Sequence, residues 1–235
     1  MEPRPKSRRV FLVVASVFVA TTVATVASPP AAVGDEILGG KLERKSSKTE
    51  AEINATVARL EKQKAAEPKN YRVHFELGNA YVDAGNEEKA KESFEQAILL
   101  NPKYVEAMVN LGGLYTDLEQ PEEAIPHFEK ALSIDPENCK ARSNLGNSYY
   151  ALQRYPDAMF EYNRAVEMDP NCYSAMYNIA VAFADAGLFR DAVKWWKKVD
   201  RTAPGTEAAR NARENVSILE RFTASPPAPS KKAGQ

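Results

Sequence analysis

The sequence predicts an all-α solenoid of stacked helix pairs, and three observations carry that prediction. From Tyr71 to Thr206 the chain recurs with a period of 34 residues and no insertion, which gives four consecutive units. In the first half of each unit a large apolar residue is followed by a small one: Leu77 and Gly78, Leu111 and Gly112, Leu145 and Gly146, Ile179 and Ala180. An aromatic, Tyr81, Tyr115, Tyr149 or Phe183, lies one helical turn beyond and shares the same face. A proline closes every unit, at Pro102, Pro136, Pro170 and Pro204; it pushes the preceding residue out of the helical region, so the second helix stops there.

Composition narrows the function. The 235 residues are 44% hydrophobic and 27% charged, an ordinary globular balance. With 31 basic and 32 acidic residues the net charge is −1, so no general field draws phosphate backbones, and nucleic acid is not an expected partner. Cys139, Cys172, His74 and His127 lack the paired close spacing of a metal site. There is no Gly-rich phosphate loop or nucleophile–base set, and the repeats leave no room for a separate catalytic domain. The expectation is a protein that is not an enzyme, with no metal, no cofactor and no small-molecule substrate.

The elements follow in order. Arg4, Lys6, Arg8 and Arg9 precede an uncharged apolar run over residues 10–27, followed by Ser28, Pro29 and Pro30. That is an export pattern. As a helix the run would rise about 27 Å, close to the hydrocarbon thickness, so residues 1–27 read as an uncleaved signal anchor. The alternative is cleavage after Ala27, with Thr25 as the second small residue. Either way the rest of the chain is placed outside the cytoplasm, with a bacterial periplasm as the simplest compartment. Residues 28–48, with Gly34, Gly39 and Gly40, read as a flexible linker.

One period before Pro102 stands Pro68, and one before Phe94 stands Leu60, so residues 49–70 read as an orphan second helix capping the first unit. The units are 71–104, 105–138, 139–172 and 173–206. In their second halves Ala90, Ala124, Ala158 and Ala192 precede Phe94, Phe128, Tyr162 and Trp196 by four residues, and Ala97, Ala131, Ala165 and Val199 complete the stripe. Small residues let two helix backbones approach while the large aromatics fill the space beside them. One unit buries too little alone; stacking joins the apolar faces into one core. Pro126 falls inside the second helix of the second unit, near its start, where it should cost less than the roughly 3 kcal/mol of a mid-helix proline. Residues 207–222 carry Ala209, Ala212, Val216, Leu219 and Phe222 on one stripe and read as a closing helix, N-capped by Thr206. Residues 223–235, with Pro226, Pro227 and Pro229, read as a disordered tail. Cys139 opens the third unit and Cys172 closes it. Repeats spaced about 10 Å apart exceed the roughly 7 Å limit for bridged α-carbons, so no disulfide is expected.

The pattern resembles the tetratricopeptide repeat at essentially every signature position. One departure is that the Trp often seen early in the first helix is replaced by His74, Met108, Arg142 and Met176. The resemblance implies a right-handed superhelical solenoid in which the first helix of each repeat lines a concave groove for a protein or peptide partner. In one phase of that helix stand Glu76, Asn110, Asn144 and Asn178. Their amides, about 10 Å apart, can pair with the backbone of an extended peptide, or can satisfy a neighbouring backbone group. The row is similar to the asparagine ladder in the repeat region of O-linked N-acetylglucosamine transferases, carried here onto Asn110, Asn144 and Asn178. A second resemblance is to the two-carboxylate clamp of co-chaperones: Asn79, Asn110 and Lys140 fit, whereas Phe75 and Asn144 stand where basic residues belong. Val82, Val109, Thr116, Tyr150, Tyr177 and Ala184 complete the groove candidates. The expected peptide-binding set is Asn79, Asn110, Asn144, Asn178, Lys140, Phe75, Tyr150 and Tyr177. The function implied is a scaffold or adaptor assembling a bacterial envelope complex. The alternative is an accessory subunit of an envelope enzyme, or a co-chaperone gripping a partner's C-terminus. Membrane contact would run through the N-terminal apolar segment if it is retained.

Overall fold

A computed structural model describes residues 48–224, which form ten α-helices without a strand. Helix α1 (Glu50–Ala66) starts at Thr49, whose hydroxyl accepts from the Glu52 backbone N–H while the Glu52 carboxylate accepts from the Thr49 N–H at 2.7 Å. This reciprocal cap satisfies two donors that a helix start leaves open. The repeats follow as α2 (Tyr71–Asp83) with α3 (Glu87–Leu100), α4 (Val105–Asp117) with α5 (Pro121–Ile134), α6 (Cys139–Ala151) with α7 (Tyr155–Met168), and α8 (Tyr173–Asp185) with α9 (Phe189–Thr202). Helix α10 (Glu207–Ala224) closes the array, and the Thr206 hydroxyl accepts from the Ala209 N–H at its start, as expected. Helix α5 runs on through Pro126 to Ile134.

Each helix pair turns on a residue in the left-handed region: Gly85 (φ 67°), Glu119 (φ 59°), Gln153 (φ 58°) and Gly187 (φ 73°). Glycine takes that conformation at no steric cost, whereas Glu119 and Gln153 hold it against their own Cβ.

The packing is that of the repeat. Phe94, Phe128 and Trp196 are fully buried and Tyr162 nearly so, each within a cluster containing its own repeat's alanine. A Cβ on Gly78, Gly112 or Gly146 would come within 2.5, 2.7 or 2.4 Å of the Phe94, Phe128 or Tyr162 ring respectively. The small residue is thus the condition for ring and backbone to meet. The core is a row of clusters joined by shared aromatics: Tyr115 touches the first and second, Tyr149 the second and third, Phe183 the third and fourth. First helices of successive repeats touch one another, α4 on α6 and α6 on α8, while α10 packs on α9 and α8. Close approach of the first helices makes theirs the inner wall.

The variable pocket near the start of each first helix is filled differently in each repeat. Met108 and Met176 fill theirs with apolar bulk. His74 Nε2 is hydrogen-bonded to the Pro68 carbonyl at 2.9 Å, and Arg142 donates to the equivalent carbonyl of Pro136 at 2.8 Å while pairing with Glu161 at 2.9 Å.

One expectation is overturned. Cys139 and Cys172 form a disulfide, with α-carbons 5.7 Å apart. The 10 Å spacing holds between helix axes at equivalent positions, but these cysteines are 33 residues apart, one short of the period. Cys139 is the first residue of α6 and Cys172 the N-cap of α8, so the incoming turn brings Cys172 inside the axial spacing.

Among the described residues no helix is long and apolar enough to cross a membrane. The signal anchor and most of the expected linker and tail lie outside the described residues, and the first two residues of the expected tail, 223 and 224, continue the closing helix.

Candidate functional site

The inner wall is built by the exposed flanks of α2, α4, α6 and α8. Three residues matched to the clamp pattern come together there. Asn110 donates from Nδ2 to Asn79 Oδ1 at 2.8 Å, and Lys140 Nζ donates to Asn110 Oδ1 at 3.3 Å. Phe75, Val109, Asn110, Lys140 and Glu106 line a cavity of about 250 Å³ beside this chain. The Phe75 ring is half-buried and meets Tyr104 edge-on, with centroids 5.0 Å apart. Val109 is buried, as is Ala184, so both belong to the packing.

Two repeats further on the arrangement recurs with different partners. Asn178 donates from Nδ2 to Asn147 Oδ1 at 2.6 Å and to Ser143 Oγ at 3.1 Å. The Tyr162 hydroxyl donates to the same Asn147 oxygen at 2.8 Å. Asn147, Tyr150, Tyr162, Asn178 and Val181 line a second cavity of about 220 Å³. Burial pushes the Tyr162 hydroxyl far above its ordinary pKa, so it stays a donor.

Between the two pairs stands Asn144. It is half-buried, and its side-chain amide makes no hydrogen bond among the described residues. The sequence supplies the reason. Asn79 and Asn147 occupy one phase of the first and third repeats, and the same phase of the second repeat is Gly113, which has no amide to offer Asn144.

Tyr150 borders both the second cavity and a third of about 450 Å³ at the turn edge of repeats three and four. Its hydroxyl donates to Asp185 Oδ2. Tyr177 sits apart, half-buried against the closing helix, where its hydroxyl accepts from Asn215 at 3.3 Å and its ring lies 6.3 Å from that of Trp196. Sequence reasoning missed Asn147, Ser143, Tyr155 and Asp185. Asn147 was recognisable as the residue two periods beyond Asn79; the others stand outside the asparagine phase. Among the described residues no His, Cys, Asp and Glu group is placed to hold a metal ion.

A tetratricopeptide-repeat family model matches residues 58–138 and 143–206, more than half of the chain, and a second matches residues 116–167. The chain belongs to the tetratricopeptide-repeat family. Its repeats are similar to those in a crystal structure of MamA, 24% identical, with a TM-score of 0.56 over 65% of this chain and 89% of that one. A MamA structure from Desulfovibrio magneticus RS-1, 17% identical, gives a TM-score of 0.56 over 66% of this chain and 88% of that one. YrrB, described as a tetratricopeptide-repeat protein with an unusual peptide-binding site, is 23% identical with a TM-score of 0.52 over 70% of this chain and 84% of that one. At these identities the likeness is one of fold. No curated protein matches the chain by sequence. A tetratricopeptide-repeat array is a protein-interaction scaffold, and that is the function class of this chain.

Proposed function

We propose that the protein is a non-catalytic adaptor that grips an extended polypeptide along the inner wall of the array, with Asn144 as the amide that pairs with the guest backbone. The observation that carries this reading is the unequal state of the asparagines. Asn110 and Asn178 spend their Nδ2 donors on Asn79 and Asn147, whereas Asn144, lying between them, keeps both donor and acceptor available. Flanking cavities of about 250 and 220 Å³ give side chains on either side of that backbone contact a place to sit. The peptide-binding site named for YrrB, on a similar fold, supports the same use here.

The compartment we propose is outside the cytoplasm, in a bacterial envelope, where the adaptor serves assembly of a larger complex. Two features support it: the basic residues preceding the apolar run at 10–27, and the Cys139–Cys172 bond, which persists in oxidising compartments. A grip on a partner's C-terminal carboxylate is disfavoured, because Glu106 lines the same cavity as Lys140.

Photocrosslinking in intact cells tests the reading. The full chain carries a photoreactive residue at position 144, and in a control at position 99, where Leu99 is 70% exposed on α3. A discrete polypeptide trapped from position 144 and absent from position 99 is the expected result. Equal yields from the two positions would sink the groove as the site.

A further inference from the structure

The turn edge between repeats three and four carries a cavity that the asparagine row does not use. Its volume is about 450 Å³, and Tyr150, Tyr155, Met159, Phe183, Asp185 and Leu188 form its walls. The rings of Tyr150 and Tyr155 meet at 67° with centroids 5.0 Å apart, making a two-sided aromatic corner. Tyr155 and Leu188 are 48% and 49% exposed, so the corner opens to solvent. The feature is local to this junction: the positions equivalent to Tyr150 and Tyr155 are Val82 and Glu87 in the first repeat, and Thr116 and Pro121 in the second.

At the edge of this apolar space stands a carboxylate. Asp185 accepts from Tyr150 through Oδ2, and among the described residues no ion pair involves it. Desolvation raises its carboxyl above the ordinary value despite the Tyr150 hydrogen bond. Aromatic faces attract a cation through the ring quadrupole, and a carboxylate in an apolar wall is stabilised by one. We propose that this cavity takes an arginine side chain of the bound polypeptide, its guanidinium seated between the Tyr150–Tyr155 corner and the Asp185 carboxylate. The inference rests on the groove reading above and names one residue type of the guest.

Arginine suits the space better than lysine. Its guanidinium is planar and weakly hydrated, stacks on a ring and presents parallel donors to a carboxylate, while its stem covers apolar wall such as Met159 and Leu188. The protein already uses both halves of this chemistry. Arg154 lies 4.4 Å from the centroid of the Tyr149 ring while its Nε donates to Asp157 at 2.8 Å. Three repeats before Asp185, at the same position, Asp83 holds Lys48 at 2.8 Å.

The test is a titration of the full chain, in neutral detergent, with Nα-acetyl-arginine methylamide and with its uncharged citrulline counterpart, followed by amide chemical shifts. The expected result is saturable shifts confined to Tyr150, Tyr155 and residues 182–188, with the citrulline probe binding about tenfold more weakly. Asp185→Asn, checked for an unchanged melting temperature, should weaken the arginine probe by a similar factor, and Leu99→Ala, at an exposed position outside both sites, should leave it unaffected. Equal binding of the two probes, shifts scattered over other carboxylates, or no saturable shift would overturn the assignment. The groove reading is judged separately by the crosslink from position 144: arginine binding without that crosslink would remove the groove alone, and the crosslink without arginine binding would remove this inference alone.

Discussion

The Oδ1 atom of Asn147 accepts two hydrogen bonds at once, from Asn178 Nδ2 at 2.6 Å and from the Tyr162 hydroxyl at 2.8 Å. One amide oxygen thus ties the first helix of the fourth repeat and the second helix of the third to the wall of α6. Asn147→Ala leaves the Tyr162 hydroxyl without an acceptor in a site where that residue is 2% exposed, at a cost of about 1–3 kcal/mol. Urea denaturation should show the loss. Tyr162→Phe added to Asn147→Ala should recover part of it, because no stranded hydroxyl remains.

Gly112→Ala should destabilise the protein although it improves helix propensity. The new methyl would lie 2.7 Å from the Phe128 ring, and that ring is fully buried. Overpacking of about 1–3 kcal/mol outweighs the roughly 1 kcal/mol gained in a helix interior. A fall in the melting temperature, partly reversed by Phe128→Leu, is the expected reading. A rise would show that the ring moves aside at little cost.

Reduction of Cys139–Cys172 should lower stability markedly. The cysteines are 33 residues apart in sequence, and a cross-link of that span removes about 3.7 kcal/mol of loop entropy from the unfolded chain. The urea midpoint should drop on adding reductant. The double variant Cys139→Ala with Cys172→Ala should be insensitive to reductant, with a midpoint near that of the reduced protein.

Alkaline pH should act through Tyr81. Burial, with the Glu61 carboxylate that accepts a hydrogen bond from it at 2.6 Å, pushes this hydroxyl up from 10.0 to about 12. The folded state therefore holds the proton where the unfolded chain gives it up. The stability contributed is complete below pH 10.0 and is lost as pH rises towards about 12. Melting temperatures across that window should fall more steeply for the native chain than for Tyr81→Phe, and absorbance at the tyrosinate band should show a late-titrating hydroxyl that the variant lacks.

The repeat was legible because its signal is volumetric. Alternation of Gly112 with Phe128, or Ala158 with Tyr162, reports which side chains must interlock, and that survives translation by one period. The cap at Thr206 was legible for a similar reason, since capping is settled within a few residues. The groove was only half legible. Reading Asn110, Asn144 and Asn178 as one row assumes that equivalent residues have equivalent neighbours, but each bonded partner lies 31 residues back in another phase, where Gly113 interrupts the series. The disulfide was missed because spacing between helix axes says little about a residue on the turn leading into the next helix.

A linear array of this kind comes apart from its ends, because each repeat leans only on its neighbours. The cross-link from Cys139 to Cys172 changes that order by fastening the start of α6 to the start of α8. Helices α1 to α5 lie outside the link on one side and α9 and α10 on the other, so a protease added at low concentration should trim these outer segments first. What survives longest would be the third repeat, held to the start of α8.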